Sequence, residues 1–502
     1  MENRLYSAGR RVCAAGILAV LVPGLLGAPG ALAQPVGLPS MGTASGADLS
    51  PALERRLGEA IMVQGRRDPT YIDDTEVIQY LTVMGRKLAA HAPGGAPQIE
   101  VFGVRDPGIN AFAMPGGYIG INSGLVVSSD TESELAGVLA HEIGHVSQRH
   151  IARGFTQQNQ TGTIMMASMA AALLAGLAGG VDLASGLAAF GQAAAINQQL
   201  GFSRDAEREA DRAGMEMLSK AGYDPGGMAR MFGRLMNVSR LNEGRGAGAY
   251  ASTHPLSIER MSDMQNRVRA MPDLHRADSD DFWFVRARLR VIQALDGQNL
   301  RAAVQQLNNE AQSLSGVRQA AARYGVALAE IQRGNTAEAE RALAQAREGY
   351  RDSPQIARAE IELAAASGDT AQALQRADAA YKRWPDRRIL GYLYAQNLQR
   401  SGRHQEAMTF LQDRLKAWGD EEPRLYQLIA QSAEALQQPV AARRDMARYY
   451  LAVGALPAAV SQLQQARNIS SDFYEQSQID VEIREAKDRL AEERKLLERF
   501  RS

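Results

Sequence analysis

Cysteine is almost absent: the only one, Cys13, lies close to the start of the chain. No disulfide framework can therefore hold the fold, which must rest on packing and on cross-links other than disulfides. An excess of one charge is also missing, since 56 Lys and Arg are balanced by 56 Asp and Glu. That balance excludes the global basic field that recruits nucleic acid. Nor does any apolar run make a confident membrane span, which needs ~20 residues. Val12 to Leu26 is too short, and Thr161 to Ala195 is interrupted by Gly179-Gly180-Val181-Asp182. What remains is a chain of 502 residues, 45% hydrophobic, long enough for two or three domains with a sizeable core.

Residues 1–33 read as a secretory signal. Arg4, Arg10 and Arg11 precede the apolar run, and Ala31-Leu32-Ala33 before Gln34 fits a cleavage site. Cleavage would remove three arginines, one glutamate and the only cysteine, leaving a net charge of about −2. The alternative is an uncleaved inner-membrane anchor. Residues 34–50 are rich in Pro, Gly and Ser and read as a flexible linker. Export with this architecture points to a bacterial periplasm.

The most informative stretch is His141-Glu142-Ile143-Gly144-His145. Leu135, Val138, Leu139, Ile143 and Val146 recur around it at helical spacing. Thr131 and Glu134 can form a capping box at the helix start. Residues four apart on a helix are separated by roughly 40°, so His141 and His145 project side by side and can share one metal. Neutral imidazole suits zinc, and a catalytic zinc takes three protein ligands and leaves a position for water. Glu142, beside the first histidine, is placed to act as the base toward that water. Gly144 lets another segment approach.

A third ligand is needed. The metzincin continuation fails, because Gln148 and Ile151 occupy its Gly and His positions. On a continuing helix His150 would point roughly 140° away from His145, as a surface or packing residue. The stretch Gly201 to Met215 offers Glu207 and Asp211, four apart and on one helix face. Glu207 is the candidate ligand. Asp211 would bond the far nitrogen of a zinc-bound histidine and fix its tautomer.

These residues resemble a family. H-E-x-x-H followed by S-R-x-x-E-x-x-A-D, with Asn110-Ala-Phe-Ala-Met-Pro-Gly-Gly-Tyr-Ile upstream and Ser252-Thr-His-Pro-Leu downstream, is similar to the gluzincin peptidases that include HtpX, Oma and the CAAX prenyl endopeptidases. With the export signal and the repeats described below, the chain resembles the BepA-type periplasmic proteases. The resemblance implies zinc on the residues matching His141, His145 and Glu207, with Glu142 as acid/base and Asp211 behind a ligand. It covers about residues 50–270 strongly and the rest by architecture.

Pro51 to about Ala90 reads as one or two helices, and Ile99–Val104, Asn110–Met114 and Tyr118–Asn122 as strands. Asn110, Ala111, Phe112 and Ala113 are the candidate edge for pairing with an extended substrate; an ordinary hairpin is the alternative. Residues 155–200, dense in Ala, Gly, Met and Leu, read as a helical hairpin or flap. Covering the active site, touching a membrane surface peripherally, gripping an unfolded client and plain core packing are all open to it. His254, fixed before Pro255, has two functional readings: donor to the oxyanion of the tetrahedral intermediate, or occupant of zinc's fourth position that keeps the site latent. A structural histidine is the third reading. Arg260 can pair with an aspartate or a substrate carbonyl.

From about Asp280, strand formers give way to Ala, Gln, Arg, Glu and Leu. Gly334-Asn-Thr-Ala-Glu-Ala339, Gly368-Asp-Thr-Ala-Gln-Ala373 and Gly402-Arg-His-Gln-Glu-Ala407 recur every 34 residues, as do Tyr350, Trp384 and Trp418. This is the tetratricopeptide period, and such helix pairs stack into a superhelix with a concave groove. The sequence thus predicts a mainly α protein with a small β-sheet: a signal at 1–33, a linker at 34–50, a gluzincin-like zinc peptidase at 51–272 and an α-solenoid at 280–500. The expected function is a periplasmic zinc endopeptidase whose repeats recruit clients. The resemblance implies outer-membrane β-barrel proteins, unfolded or stalled, as clients and the barrel assembly complex as partner. The second hypothesis is a chaperone or scaffold built on the repeats, with proteolysis rare or latent.

Overall fold

The computed structural model describes residues 50–157, 202–241, 249–271, 276–419 and 422–501. The expected export signal at 1–33, nearly all of the expected linker and most of the Ala/Gly-rich segment at 155–200 fall outside these residues. Two helices open the described chain, α1 (Pro51–Gly65) and α2 (Thr75–Ala89). Ser50 caps α1 and Asp74 caps α2, each side chain accepting from backbone N–H groups of the first turn. Three strands follow, β1 (Glu100–Val104), β2 (Ala111–Met114) and β3 (Tyr118–Asn122). The sheet order is β1-β3-β2, with β1 parallel and β2 antiparallel to β3. The turn from β2 to β3 carries Gly116 at φ 81° and Gly117 at φ 86°. A Cβ at Gly117 would lie 2.1 Å from the Gln98 carbonyl oxygen, so only glycine fits there.

The short α3 (Ser123–Ser128) leads into α4 (Glu132–Ser147), which carries the histidine motif. The Thr131 hydroxyl accepts from Glu134 N–H at 3.3 Å, as a capping box requires. The Glu134 carboxylate reaches one residue further back than that motif prescribes and accepts from Asp130 N–H at 2.8 Å. Helices α5 (His150–Gln157), α6 (Arg204–Lys220), α7 (Gly226–Leu241), α8 (Ala249–Thr253) and α9 (Ile258–Ala270) complete this part.

The rest is helical: α10 (Asp280–Ile292), α11 (Gly297–Ser313), α12 (Gly316–Gln332), α13 (Thr336–Gly349), α14 (Pro354–Ala366) and α15 (Thr370–Arg383). They are followed by α16 (Arg388–Arg400), α17 (His404–Trp418), α18 (Pro423–Ala435), α19 (Pro439–Ala452), α20 (Leu456–Ile469) and α21 (Phe473–Arg501). Gly334, Gly368, Gly402 and Gly454 take positive φ at the inter-helix turns. Gln437 holds the same kind of turn at φ 58°, where a side chain costs roughly 1–2 kcal/mol.

The repeats do not stand apart from the helices that precede them. One hydrophobic core runs from α2, the sheet, α4, α6 and α7 into α10, α12 and α14. A second joins α1 and the far face of the sheet to Leu496 and Leu497 of α21. Both ends of the repeat array therefore pack on the part of the chain that holds the sheet and the histidine motif. Polar junctions reinforce this. Ser279, the cap of α10, donates its hydroxyl to Glu132 at the start of α4 at 2.6 Å, and Tyr80 donates to the same carboxylate at 3.1 Å.

The start of α2 makes the densest junction. Asp74 accepts from Arg288 of α10 at 2.8 Å and from Arg358 of α14 at 2.9 and 3.1 Å. Arg358 also donates to Glu76 and Glu362, at 2.9 and 2.8 Å. Burial alone would raise the Asp74 pKa, but the two guanidiniums hold it well below the usual carboxylate range. Glu362 is lowered in the same way. Glu76 goes the other way, raised by burial. A carboxylate with a depressed folded pKa adds stability above its unfolded value, near 3.9 for Asp, and loses it as the pH falls. The large depression at Asp74, shared by Glu362, is the contribution lost in acid. Thermal unfolding should therefore occur at progressively lower temperature below about pH 5. The Asp74→Asn variant should have a shallower slope there; an unchanged slope would remove Asp74 from this role.

Candidate metal centre

Helices α4 and α6 cross closely because glycines face backbone at the contact. A Cβ on Gly144 would meet the Ala210 backbone at 2.9–3.3 Å, and one on Gly214 the His141 nitrogen at 3.1 Å. This approach brings Glu207 opposite the histidine pair. His141 Nε2 lies 3.0 Å from His145 Nε2, and each is 3.5 Å from a Glu207 oxygen. His254, just after α8, adds Nδ1 at 3.3 Å from His141 Nε2 and 3.0 Å from Glu207 Oε1. Donor atoms of His141, His145, Glu207 and His254 all fall within 4.8 Å of one another, and all four residues are buried. Glu142 is fully buried beside them, with Oε1 3.4 Å from His254 Nε2.

The outer contacts orient this cluster. Asp211 Oδ1 lies 2.9 Å from His141 Nδ1, leaving Nε2 to face the cluster. Arg260 donates twice to Asp211, at 2.8 Å each, and once to the Pro255 carbonyl at 2.7 Å. Its Nη1 is also 2.6 Å from Glu207 Oε2. Of its two anticipated roles, Arg260 thus takes the pairing with aspartate. Phe202 lies across His145, with ring centroids 3.9 Å apart, and Tyr250 stacks on His254 at 4.5 Å.

Electrostatics separate the two motif histidines. Burial works against a charged His141, but the Asp211 and Glu207 carboxylates outweigh it and push the ring up to about 10. Burial and the charge of His141 push His145 well below its ordinary value. Burial would raise Glu207, yet His254 and His141 together hold it well below.

The sequence-predicted residues fall into two sets. His141, Glu142, His145, Glu207, Asp211 and His254 come together. Asn110, Ala111, Phe112 and Ala113 lead into and form β2, the last strand in the sheet order, which packs along α4. All four residues are buried, so a substrate could pair there only once they are uncovered. His150 is the residue that the sequence placed wrongly. The helix does not continue through it: Arg149 takes φ 52° and α5 begins anew. His150 is buried, with Nδ1 2.9 Å from His145 Nδ1. A lone Arg in the left-handed region leaves no sequence signature, and Phe202 and Tyr250 carry none either.

Residues 77–268 match Peptidase family M48, and residues 364–432 match the tetratricopeptide repeat. The metalloprotease LoiP of Escherichia coli K12 is 31% identical over 197 residues, which cover 39% of this chain and 73% of that protein. The chain belongs to peptidase family M48. Two further relatives extend beyond the M48 region. A putative beta-barrel assembly-enhancing protease of Vibrio cholerae serotype O1 is 35% identical over 309 residues, covering 59% of this chain and 61% of the relative. The beta-barrel assembly-enhancing protease of Escherichia coli K12 is 33% identical over 253 residues, covering 50% and 51%. The chain thus spans about half to three-fifths of the length of these relatives. No helix among the described residues is long and apolar enough to cross a membrane.

Membership of the M48 family implies a metal ion, and the donor set fits one. Four donors at zinc's 2.0–2.1 Å bond length sit about 3.3 Å apart at the corners of a tetrahedron. One donor atom from each of the four residues lies within 4.8 Å of the others, and the neighbouring separations of 3.0–3.5 Å are near that value. Imidazole and carboxylate are the donors of the family of zinc sites that do hydrolysis. Both oxygens of Glu142 are buried with no hydrogen-bond partner among the described residues, as suits a carboxylate whose partner is a reacting water.

Proposed function

We propose that this chain is a periplasmic zinc-dependent endopeptidase, with residues 51–272 as its catalytic part and residues 280–500 as a client-recruiting array. The observation that carries the reading is the convergence of His141, His145 and Glu207 on one buried point with Glu142 beside it. His141, His145 and Glu207 would hold one zinc. When bound, zinc would polarise the scissile carbonyl and make water acidic enough to react near neutral pH. Glu142 accepts the proton of the attacking water and passes it to the leaving amine. Asp211 keeps His141 in the ligand tautomer, and Arg260 holds Asp211 and Glu207 in place. Asn110 to Ala113 are our candidate edge for an extended substrate, which could pair there only once the contacts that bury these residues are opened.

The clients we propose are unfolded or stalled outer-membrane β-barrel proteins, with the repeats docking on the barrel assembly complex. The names of the relatives from Vibrio cholerae and Escherichia coli support this choice. The test is cleavage of an unfolded outer-membrane protein by the purified chain, lost on chelation and restored by zinc. Absence of cleavage with zinc bound would favour the second reading, a repeat-based chaperone with a latent protease. One observation supports latency: His254 turns Nδ1 into the donor cluster and sets its other nitrogen against Glu142. A site closed by His254 predicts that His254→Ala raises cleavage several-fold at unchanged zinc content. Loss of cleavage in that variant would instead assign His254 to the oxyanion.

A further inference from the structure

Each histidine of the motif turns one nitrogen into the cluster and the other outward. For His141 the outward partner is Asp211. For His145 it is another imidazole, His150, whose side chain is 1% exposed. His150 in turn sets Nε2 3.0 Å from Glu209 Oε2, and Arg153 donates to the same oxygen at 2.9 Å. Glu209 is the first member of the chain to reach solvent, its side chain 42% exposed. The turn at Arg149 makes this contact, because it folds α5 back so that its first residue faces the ligand nitrogen.

We propose that His150 and Glu209 are positioning residues for His145, forming an imidazole–carboxylate chain that fixes this ligand's tautomer and ring plane. The inference rests on the reading of the cluster as a zinc site. The hydrogen count allows only one consistent arrangement. With Nε2 given to the metal, neutral His145 carries its proton on Nδ1 and donates it to His150 Nδ1. His150 then carries its own proton on Nε2 and donates it to Glu209. Among the described residues, an apolar side chain at 150 would leave the buried His145 N–H without its acceptor, which weakens metal affinity as loss of an orienting partner does. The Phe202 side of His145 offers no substitute, since its ring presents only carbon.

The experiment measures zinc affinity of the full chain by competition with a chromogenic chelator, together with the rate of zinc loss. His150→Leu should weaken binding about 10–100-fold and speed release. His150→Asn places a carboxamide oxygen where Nδ1 stood and should recover most of the affinity. Glu209→Ala, at a partly exposed position, should fold normally and weaken binding only a few-fold. Thermal unfolding of the metal-free variants separates ligand positioning from packing: His150→Leu should unfold no earlier than wild type without metal, and earlier only with it. Wild-type affinity in His150→Leu, or equal impairment in the Asn and Leu variants, would overturn the proposal. Failure of wild type to bind zinc at all would remove the underlying site reading as well.

Discussion

Glu142→Gln is expected to retain one zinc per chain while losing cleavage by about 10²–10⁴-fold, the range a positioned general base supplies. The substitution keeps size and polarity and removes only basicity. Glu142 is fully buried, neither oxygen is hydrogen-bonded among the described residues, and its side chain lies outside the proposed donor set of His141, His145 and Glu207. The carboxylate's contact with His254 Nε2, at 3.4 Å, can be kept by the carboxamide, so the variant should melt close to wild type. Metal analysis by mass spectrometry, a cleavage assay on an unfolded protein and a melting curve together test this. Cleavage within tenfold of wild type at equal zinc content would take the base role away from Glu142.

The second large effect is on stability. Arg358→Met should cost about 3–5 kcal/mol, the range for breaking a buried ion pair by removing one partner. Arg358 is 4% exposed and donates to Asp74, Glu76 and Glu362. Asp74 keeps Arg288, but Glu76, already raised by burial, loses the guanidinium 2.9 Å away. Methionine fills much the same volume, so the loss reports the uncompensated charge rather than a cavity. Denaturant unfolding measures it. Adding Glu76→Gln to Arg358→Met should recover part of the loss, because the stranded charge is then gone. A cost below about 1 kcal/mol, the range typical of surface pairs, would show that this junction contributes little.

The readable parts of this molecule are those in which spacing is local. His141 and His145 share a helix face through a four-residue interval, and Thr131 caps that helix as its sequence requires. Gly334, Gly368 and Gly402 announced the repeat turns because only a left-handed backbone closes them cheaply. Glu207 and Asp211 were legible as a pair once the histidine motif demanded a third ligand. His150 was misplaced because one non-glycine residue, Arg149, takes positive φ and ends the helix early. The Asp74 junction could not be read at all. Its partners lie 214 and 284 residues away, and nothing local distinguishes a buried Arg358 from the many exposed arginines of the same helices. The same holds for the packing of Leu496 and Leu497 of α21 against α1, residues more than 400 positions apart.

The central claim is that His141, His145 and Glu207 jointly hold one metal ion. It is tested most directly by zinc content and affinity of the purified full chain, wild type beside His141→Ala and Glu207→Gln. The geometry predicts one zinc per wild-type chain, and loss of stoichiometric zinc or at least about 100-fold weaker binding in each variant. A wild-type chain without stoichiometric metal, or variants that hold zinc as tightly as wild type, would contradict it.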